Sequence, residues 1–458
     1  MSSVNSAINA GSKISENAGD WSLSYKKLFN KKGQELNVLA TTSKGNNHSD
    51  YYQQQYYSTT GYANSGSRGN SPGNDRETNL SVDYRLPLGK SFTLETGGKA
   101  VFERLGTIVS TDTLLPGGGY GNNANQTYAF TYNRKIYAYY VSTEFSLFHE
   151  FIEGQAGLRY EYTTTTEDFK GAAIPSYGLF FPSILLSHHI DETQTIKAVF
   201  SSRIERPDYG DLNPFYNISD PHNISTGNPN LRPEKGHRYE LGYNKTFGHG
   251  SSLYVAALYR RNTDDIQAFS TYYSVLDVNG STYTDVSLTQ RYNIGSQSAY
   301  GLNMFGSVSV TPEFSLRSNI QLGEQTNSSP GLGSVSGVQF RANMNASYKF
   351  PNKFMVEIFG NYNASQKNIQ GLRPAFGFYT LALRKEFFHD KASFGFTATN
   401  PFNKYVNQRS TLSGSNFMQS SLRKVPYQSF GITLSYKFGK LEFKGKERDN
   451  NSEPAPIE

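Results

Sequence analysis

The residues best suited to holding a small polar molecule lie between positions 46 and 70. Tyr51, Tyr52, Tyr56, Tyr57 and Tyr62 stand there among Gln and Asn. A tyrosine offers a ring face for stacking and a hydroxyl for hydrogen bonding, so this stretch is expected to capture a sugar, a peptide or a chelate. Other groups carry chemistry without the spacing to use it. His188 and His189 precede Asp191 and Glu192, yet adjacent residues on a strand point to opposite faces, and no metal is expected. Asp208, Asp211 and Asp220 match neither a calcium loop nor a carboxylate pair in their spacing; they read as solvated loop charges. Gly117–Gly119 lacks the strand–helix context of a phosphate cradle. The chain has no Cys, which excludes a thiol nucleophile and a Cys-ligated zinc. No Ser–His–Asp set can be singled out. Neither an enzyme nor a cofactor is expected.

What positions these residues is legible in composition. The 458 residues are 36% hydrophobic and 18% charged, both low for a soluble domain. Tyr (33), Phe (31) and Gly (42) fill the gap, which favours strands and turns over helices. The net charge of +6 is spread along the chain, densest at Lys440, Lys444, Lys446 and Arg448. That scatter is not a nucleic-acid surface. No stretch is long and apolar enough for a transmembrane helix, and the first residues have neither a charged nor an apolar leader segment.

Periodicity carries the fold. Over 338–350 one register reads Val338, Phe340, Ala342, Met344, Ala346, Tyr348, Phe350 and the other Gln339, Arg341, Asn343, Asn345, Ser347, Lys349. Alternation of this length requires a strand with one apolar and one polar face. It recurs at 92–103, 238–247, 314–323 and 429–438. Short turns near 30–33, 87–90, 148–150, 190–192, 247–250, 311–313, 351–353 and 389–391 alternate with long polar loops near 44–75, 104–126, 163–177, 203–236, 262–297, 324–336, 367–373 and 401–422. Short connections on one side and long on the other suit an outer-membrane barrel, whereas a soluble sandwich has shorter strands and no such asymmetry. The expected fold is all-β: a transmembrane antiparallel up-and-down β-barrel, with about seventeen strands visible. First and last strands run the same way, so the count is odd, while bacterial barrels are even. The expected layout is a partial extracellular loop at 1–19, an incomplete barrel at 20–439 and a polar tail at 440–458.

The segment 203–236 is dense in fixed geometry. Pro207, Pro214, Pro221, Pro229 and Pro233 each set φ, and Gly227-Asn228 supplies turn conformations. It is expected to be ordered and folded against the barrel wall. Arg203, Arg206-Pro207, Tyr209, Asn213-Pro214-Phe215, Gly227-Asn228-Pro229, Pro233-Glu234 and the strand Glu240-Leu241-Gly242-Tyr243 together resemble the outer-membrane β-barrel family of TonB-dependent receptors from the Bacteroidetes. The last strand, Ser429-Phe430-Gly431-Ile432 to Tyr436-Lys437-Phe438-Gly439, is similar to that family's as well. The resemblance implies a barrel of about 22 strands in the outer membrane of a Gram-negative bacterium, so that about five lie upstream. It also implies an upstream plug and TonB box, absent from this sequence, an energy-coupling protein as partner, and import of a small ligand such as a siderophore, oligosaccharide or peptide. The 203–236 segment would brace strands or touch the plug. A plugless porin and an adhesive surface barrel stay open as alternatives; all three share the outer-membrane lipid as partner.

Overall fold

A strand that gives one register to lipid must pair every backbone group with a neighbour, because the bilayer offers none. The computed structural model describes residues 6–57, 63–168, 174–309 and 311–438. Nineteen strands form one sheet. Two of these, Tyr120–Asn122 and Asn223–Thr226, are short additions. The others are seventeen long strands. The first eight are β1 (Ser6–Leu28), β2 (Glu35–Tyr57), β3 (Ala63–Leu88), β4 (Phe92–Leu114), β5 (Tyr128–Leu147), β6 (Ile152–Glu167), β7 (Tyr177–Asp191) and β8 (Gln194–Glu205). Then come β9 (Glu234–Thr246), β10 (Ser252–Val278), β11 (Ser281–Ser309), β12 (Phe314–Ser329) and β13 (Gly333–Phe350). β14 (Phe354–Asn363), β15 (Phe376–Phe387), β16 (Ala392–Thr399) and β17 (Ser429–Tyr436) complete the series. Each pairs antiparallel with the next. The result is the expected up-and-down meander, with the short turns on one rim. β1 and β17 run the same way, and no ladder joins them among the described residues.

The long connections differ from expectation. Residues 6–19, read as loop, continue β1 against the upper half of β2. Much of 44–75 and 104–126 is likewise strand. The stretch 262–297 is a hairpin that closes at Asn279-Gly280, both at positive φ (49° and 79°). Asn-Gly is the strongest short hairpin signal a sequence carries. Beyond the bilayer both registers turn polar, so alternation fades while pairing persists. Tyr62 and the tail 440–458 lie outside the described residues.

The two registers separate as expected. On β5, Arg134, Ile136, Ala138 and Tyr140 face one way and Tyr137, Tyr139 and Val141 the other. The polar register carries cross-strand pairs: Arg134 with Glu103 at 2.7 Å, Arg85 with Glu95 at 2.9 Å, and the Tyr140 hydroxyl donating to Asp83 at 2.7 Å. The opposite register leaves large apolar side chains uncovered, among them Trp21, Leu23, Phe180, Leu241, Ile432 and Leu434. Such a surface, running around the whole sheet, is one that lipid covers.

The abundance of Tyr and Gly has a structural cause. A ring from one strand lies over a glycine of its neighbour at Tyr52/Gly11, Tyr51/Gly69, Tyr140/Gly97, Phe145/Gly154, Tyr160/Gly178 and Tyr254/Gly242. At Gly97 and Gly154 a Cβ would stand 2.7 Å from the ring. The ring shields the bare backbone of its partner and pins the register.

Candidate functional site

The segment between β8 and β9 lies across the polar face of the sheet. Asp208 starts a single helical turn, Tyr209–Leu212, its carboxylate accepting from the Asp211 amide at 2.8 Å, while Asp211 answers the Asp208 amide at 3.4 Å. That reciprocal cap shows why two carboxylates stand three apart. Asp220 likewise accepts from the His222 amide at 3.0 Å and from Asn223 at 2.8 Å. These acids shape turns.

On one side the segment is tied to β5 and β6. Arg206 pairs with Glu161 and donates to the Thr163 hydroxyl at 3.2 Å. Arg159 holds the same Glu161 at 2.5 Å. Arg134 donates to the buried Pro207 carbonyl at 3.3 Å. Phe215 stacks on Tyr128, with centroids 3.8 Å apart and planes within 7°. Leu212 and Leu231 pack with Phe130 and Tyr132 into one of two small apolar cores among the described residues.

The other side is tied to β10 and β11. Asn223–Thr226 adds a parallel strand to Ser287–Gln290. Gln290 donates to the Gly227 carbonyl at 2.8 Å, and Asn228 to the Arg291 carbonyl at 3.0 Å. Asn293 accepts from the Arg232 amide and donates to its carbonyl, each at 2.8 Å. Arg291 pairs with Asp211 at 2.5 Å. Burial raises the Asp211 carboxyl above its usual value, with the Arg291 charge opposing. Ile218 and Ile224 meet Val278 and Val286 in the second core. One segment that touches the same face of β5 and of β11 requires the intervening strands to curve around it. It is a strap across the concave side.

Three motif residues have specific jobs. At Gly227 a Cβ would meet the Asn213 carbonyl, and would stand 2.6 Å from the Asp211 carbonyl and 2.7 Å from the Asn213 amide. Only glycine lets the two arms of the strap touch. Asn213 accepts from the Phe215 amide at 3.0 Å, and its carbonyl takes the Gly227 amide at 2.8 Å. Glu234 is buried and accepts from the Ile266 amide at 2.7 Å and from Asn262 at 3.3 Å. It fills the gap in the ladder where β10 bulges at Thr263–Ile266. Pro214, Pro229 and Pro233 hold the turns between these contacts, and the Pro214 carbonyl accepts from Thr226 at 2.9 Å. Arg203 stays exposed on β8.

Strand alternation divides the tyrosine stretch. Tyr51 lies over Gly69 on β3 and shares a hydrogen bond with Thr111 at 3.2 Å. Tyr52 points the other way, over Gly11 on β1. Both Tyr52 and Tyr51 nevertheless border one cavity of about 630 Å³, with Asp50, Arg68, Ser110 and Asp112. Tyr56 donates to Gln54 at 3.0 Å. Tyr57 ends β2. Tyr51 and Tyr52 thus lie on opposite faces of β2. His188 and His189 are also separated, bonding the Phe151 carbonyl at 2.7 Å and Glu153 at 3.4 Å respectively.

Sequence reasoning missed a polar latch. Gln370, at the tip of the hairpin Gln366–Arg373, accepts from the Ser270 amide at 2.7 Å and donates to its carbonyl at 2.8 Å. The buried Asn327 donates to the Lys367 carbonyl at 2.9 Å. A second segment thus closes on the same β10–β11 hairpin. No periodic signal marks such a contact, one hundred residues apart in sequence.

The model of a family described as the outer membrane protein beta-barrel family matches residues 27–436. No curated protein matches the sequence. Solved structures share the fold. The ferric citrate transporter FecA, unliganded, superposes with a TM-score of 0.56 at 13% identity, covering 88% of this chain and 62% of that one. BauA, the ferric preacinetobactin receptor of Acinetobacter baumannii, gives 0.57 at 12%, covering 94% and 64%. The copper transporter OprC gives 0.54 at 14%, covering 93% and 72%. The chain spans less than two thirds of the length of the first two.

Proposed function

The chain belongs to the outer membrane protein beta-barrel family, and from that membership we propose that it forms the barrel wall of a TonB-dependent receptor importing a scarce small ligand. Such proteins lie in the outer membrane of Gram-negative bacteria. The observation that carries the reading is the strap: the 206–233 segment is bonded to both sides of the barrel and occupies its concave face. An obstructed lumen suits a gated receptor better than a passive porin. The barrel likeness to ferric citrate, preacinetobactin and copper proteins supports a ligand of the chelate or metal class; an oligosaccharide or a peptide stays open beside it. Strand parity supports an odd number of further strands, about five; the plug and the energy-coupling partner rest on the family resemblance alone.

Growth of a deletion strain on limiting iron, copper, oligosaccharide or peptide tests this directly. The reading predicts loss of growth on one of them, restored by the intact gene but not when the energy-coupling protein is also absent. Unchanged growth on all four, with steady ion conductance of the purified protein in planar bilayers, would replace it with the porin reading.

A further inference from the structure

The cations look scattered in sequence, yet strand register gathers four of them. Lys44 on β2 stands opposite Arg76 on β3, and Arg76 stands opposite Arg104 on β4. Lys135 on β5 stands opposite Phe102, one diagonal step from Arg104. All four are exposed. They belong to the apolar register, in line with Val38, Leu80, Val82, Phe102, Tyr137 and Tyr139, so they point away from the strap and toward lipid. The ion pairs among the described residues involve none of them; Asp75, Glu77 and Glu103, their neighbours along the strands, alternate to the other face, where Arg134 holds Glu103. From Arg76 to the short-turn end of β3 at Leu88 is roughly a dozen residues, which at about 3.3 Å each and a 40° tilt is about 30 Å. That exceeds an apolar band of about 25 Å and puts the cations at the external interface. A depression of about 300 Å³ opens among Arg76, Phe102, Arg104, Asn133 and Lys135; Glu103 also borders it, its carboxylate engaged by Arg134.

Like charges placed directly across a ladder repel, so a row of them without carboxylates needs an anion from outside the chain. We propose that Lys44, Arg76, Arg104 and Lys135 form a site for the phosphate groups of a phosphorylated glycolipid in the external leaflet. The two guanidinium groups match phosphate oxygens in a bidentate manner, and the lysines add charge on either side. Leu80, Phe102 and Tyr137, nearer the middle of the bilayer, meet the acyl chains. That apolar floor is why the occupant is a lipid headgroup and not free phosphate. The site does not depend on what crosses the lumen.

The test uses the purified protein in phosphatidylcholine nanodiscs doped with diphosphorylated lipid A, with lipid A stripped of its phosphates, or with inorganic phosphate added to the buffer. Native mass spectrometry counts bound lipid A, and heat-shifted electrophoresis reads the unfolding midpoint. The unchanged protein is expected to retain diphosphorylated lipid A and gain stability from it. The double substitution Arg76→Gln with Arg104→Gln should weaken retention about tenfold, whereas the single substitution Arg104→Lys should keep most of it. In phosphatidylcholine alone the double variant should be no less stable than the unchanged protein, because repulsion has been removed, which separates lost binding from misfolding. Equal retention by the double variant, equal retention of the dephosphorylated lipid, or the same stabilisation from inorganic phosphate would each overturn the proposal.

Discussion

At Gly227 two backbone arms of the strap come too close for any side chain. Gly227→Ala forces them apart at a cost of about 1–3 kcal/mol. The barrel has its own ladders, so the loss should appear as faster proteolysis within 206–233 while heat-shifted mobility of the barrel is unchanged. Asp211 provides a test by charge. Its carboxyl is raised, chiefly by burial. The fold therefore favours the protonated acid: the group's contribution is greatest below the ordinary carboxylate value and declines as pH rises through the raised one. Asp211→Asn, uncharged throughout, should protect the strap at neutral pH at least as well as Asp does, and should remove the gain seen on acidification. Arg291→Gln leaves the half-buried acid without its partner and should loosen the strap at neutral pH. A difference in strap protection between the unchanged protein and the Asp211→Asn variant that stays constant with pH would contradict the burial argument. The motif residues were legible as a group because proline and glycine constrain backbone wherever they stand. Their contacts were not, since Arg206–Glu161 and Arg291–Asp211 join positions that only the folded sheet brings together.

Elements are legible in the sequence where one register meets lipid, and poorly so where both meet water. The apolar/polar alternation at 338–350 matches β13 in register, and the short turns fall on one rim. The hairpin extensions above the membrane read as loops, because a strand solvated on both sides has no alternation to show. Asn279-Gly280 was the signal available there. The bulge in β10 is a test at this scale. Glu234→Ala strands the Ile266 amide and the Asn262 side chain, a loss of about 1–3 kcal/mol, measurable as faster hydrogen exchange at Ile266. Glu234→Gln keeps an acceptor and should show little change. Ring-over-glycine pairs offer a second check. Tyr140→Ala uncovers Gly97 and frees Asp83, and should cost more stability than Tyr140→Phe, which loses only the hydrogen bond to Asp83 of about 1 kcal/mol.

At the scale of the molecule, a chain low in apolar residues holds a large sheet because lipid covers its outer face and the strap and the Gln366–Arg373 hairpin cover part of its inner one. Removing residues 208–231 and joining the ends with a short Gly-Ser linker should leave the strands intact and raise single-channel conductance; no change would place the strap outside the conducting path. The most direct measurement uses the absence of cysteine from the sequence. Single cysteines placed in turn from 338 to 350 are labelled in intact outer membranes with a membrane-impermeant maleimide and with a lipid-soluble one. The account predicts a period of two: 339, 341, 343 and 345 take the aqueous reagent, and 338, 340, 342 and 344 take the lipid-soluble one. Aqueous labelling at every position, without alternation, would contradict a barrel that spans the membrane with this register.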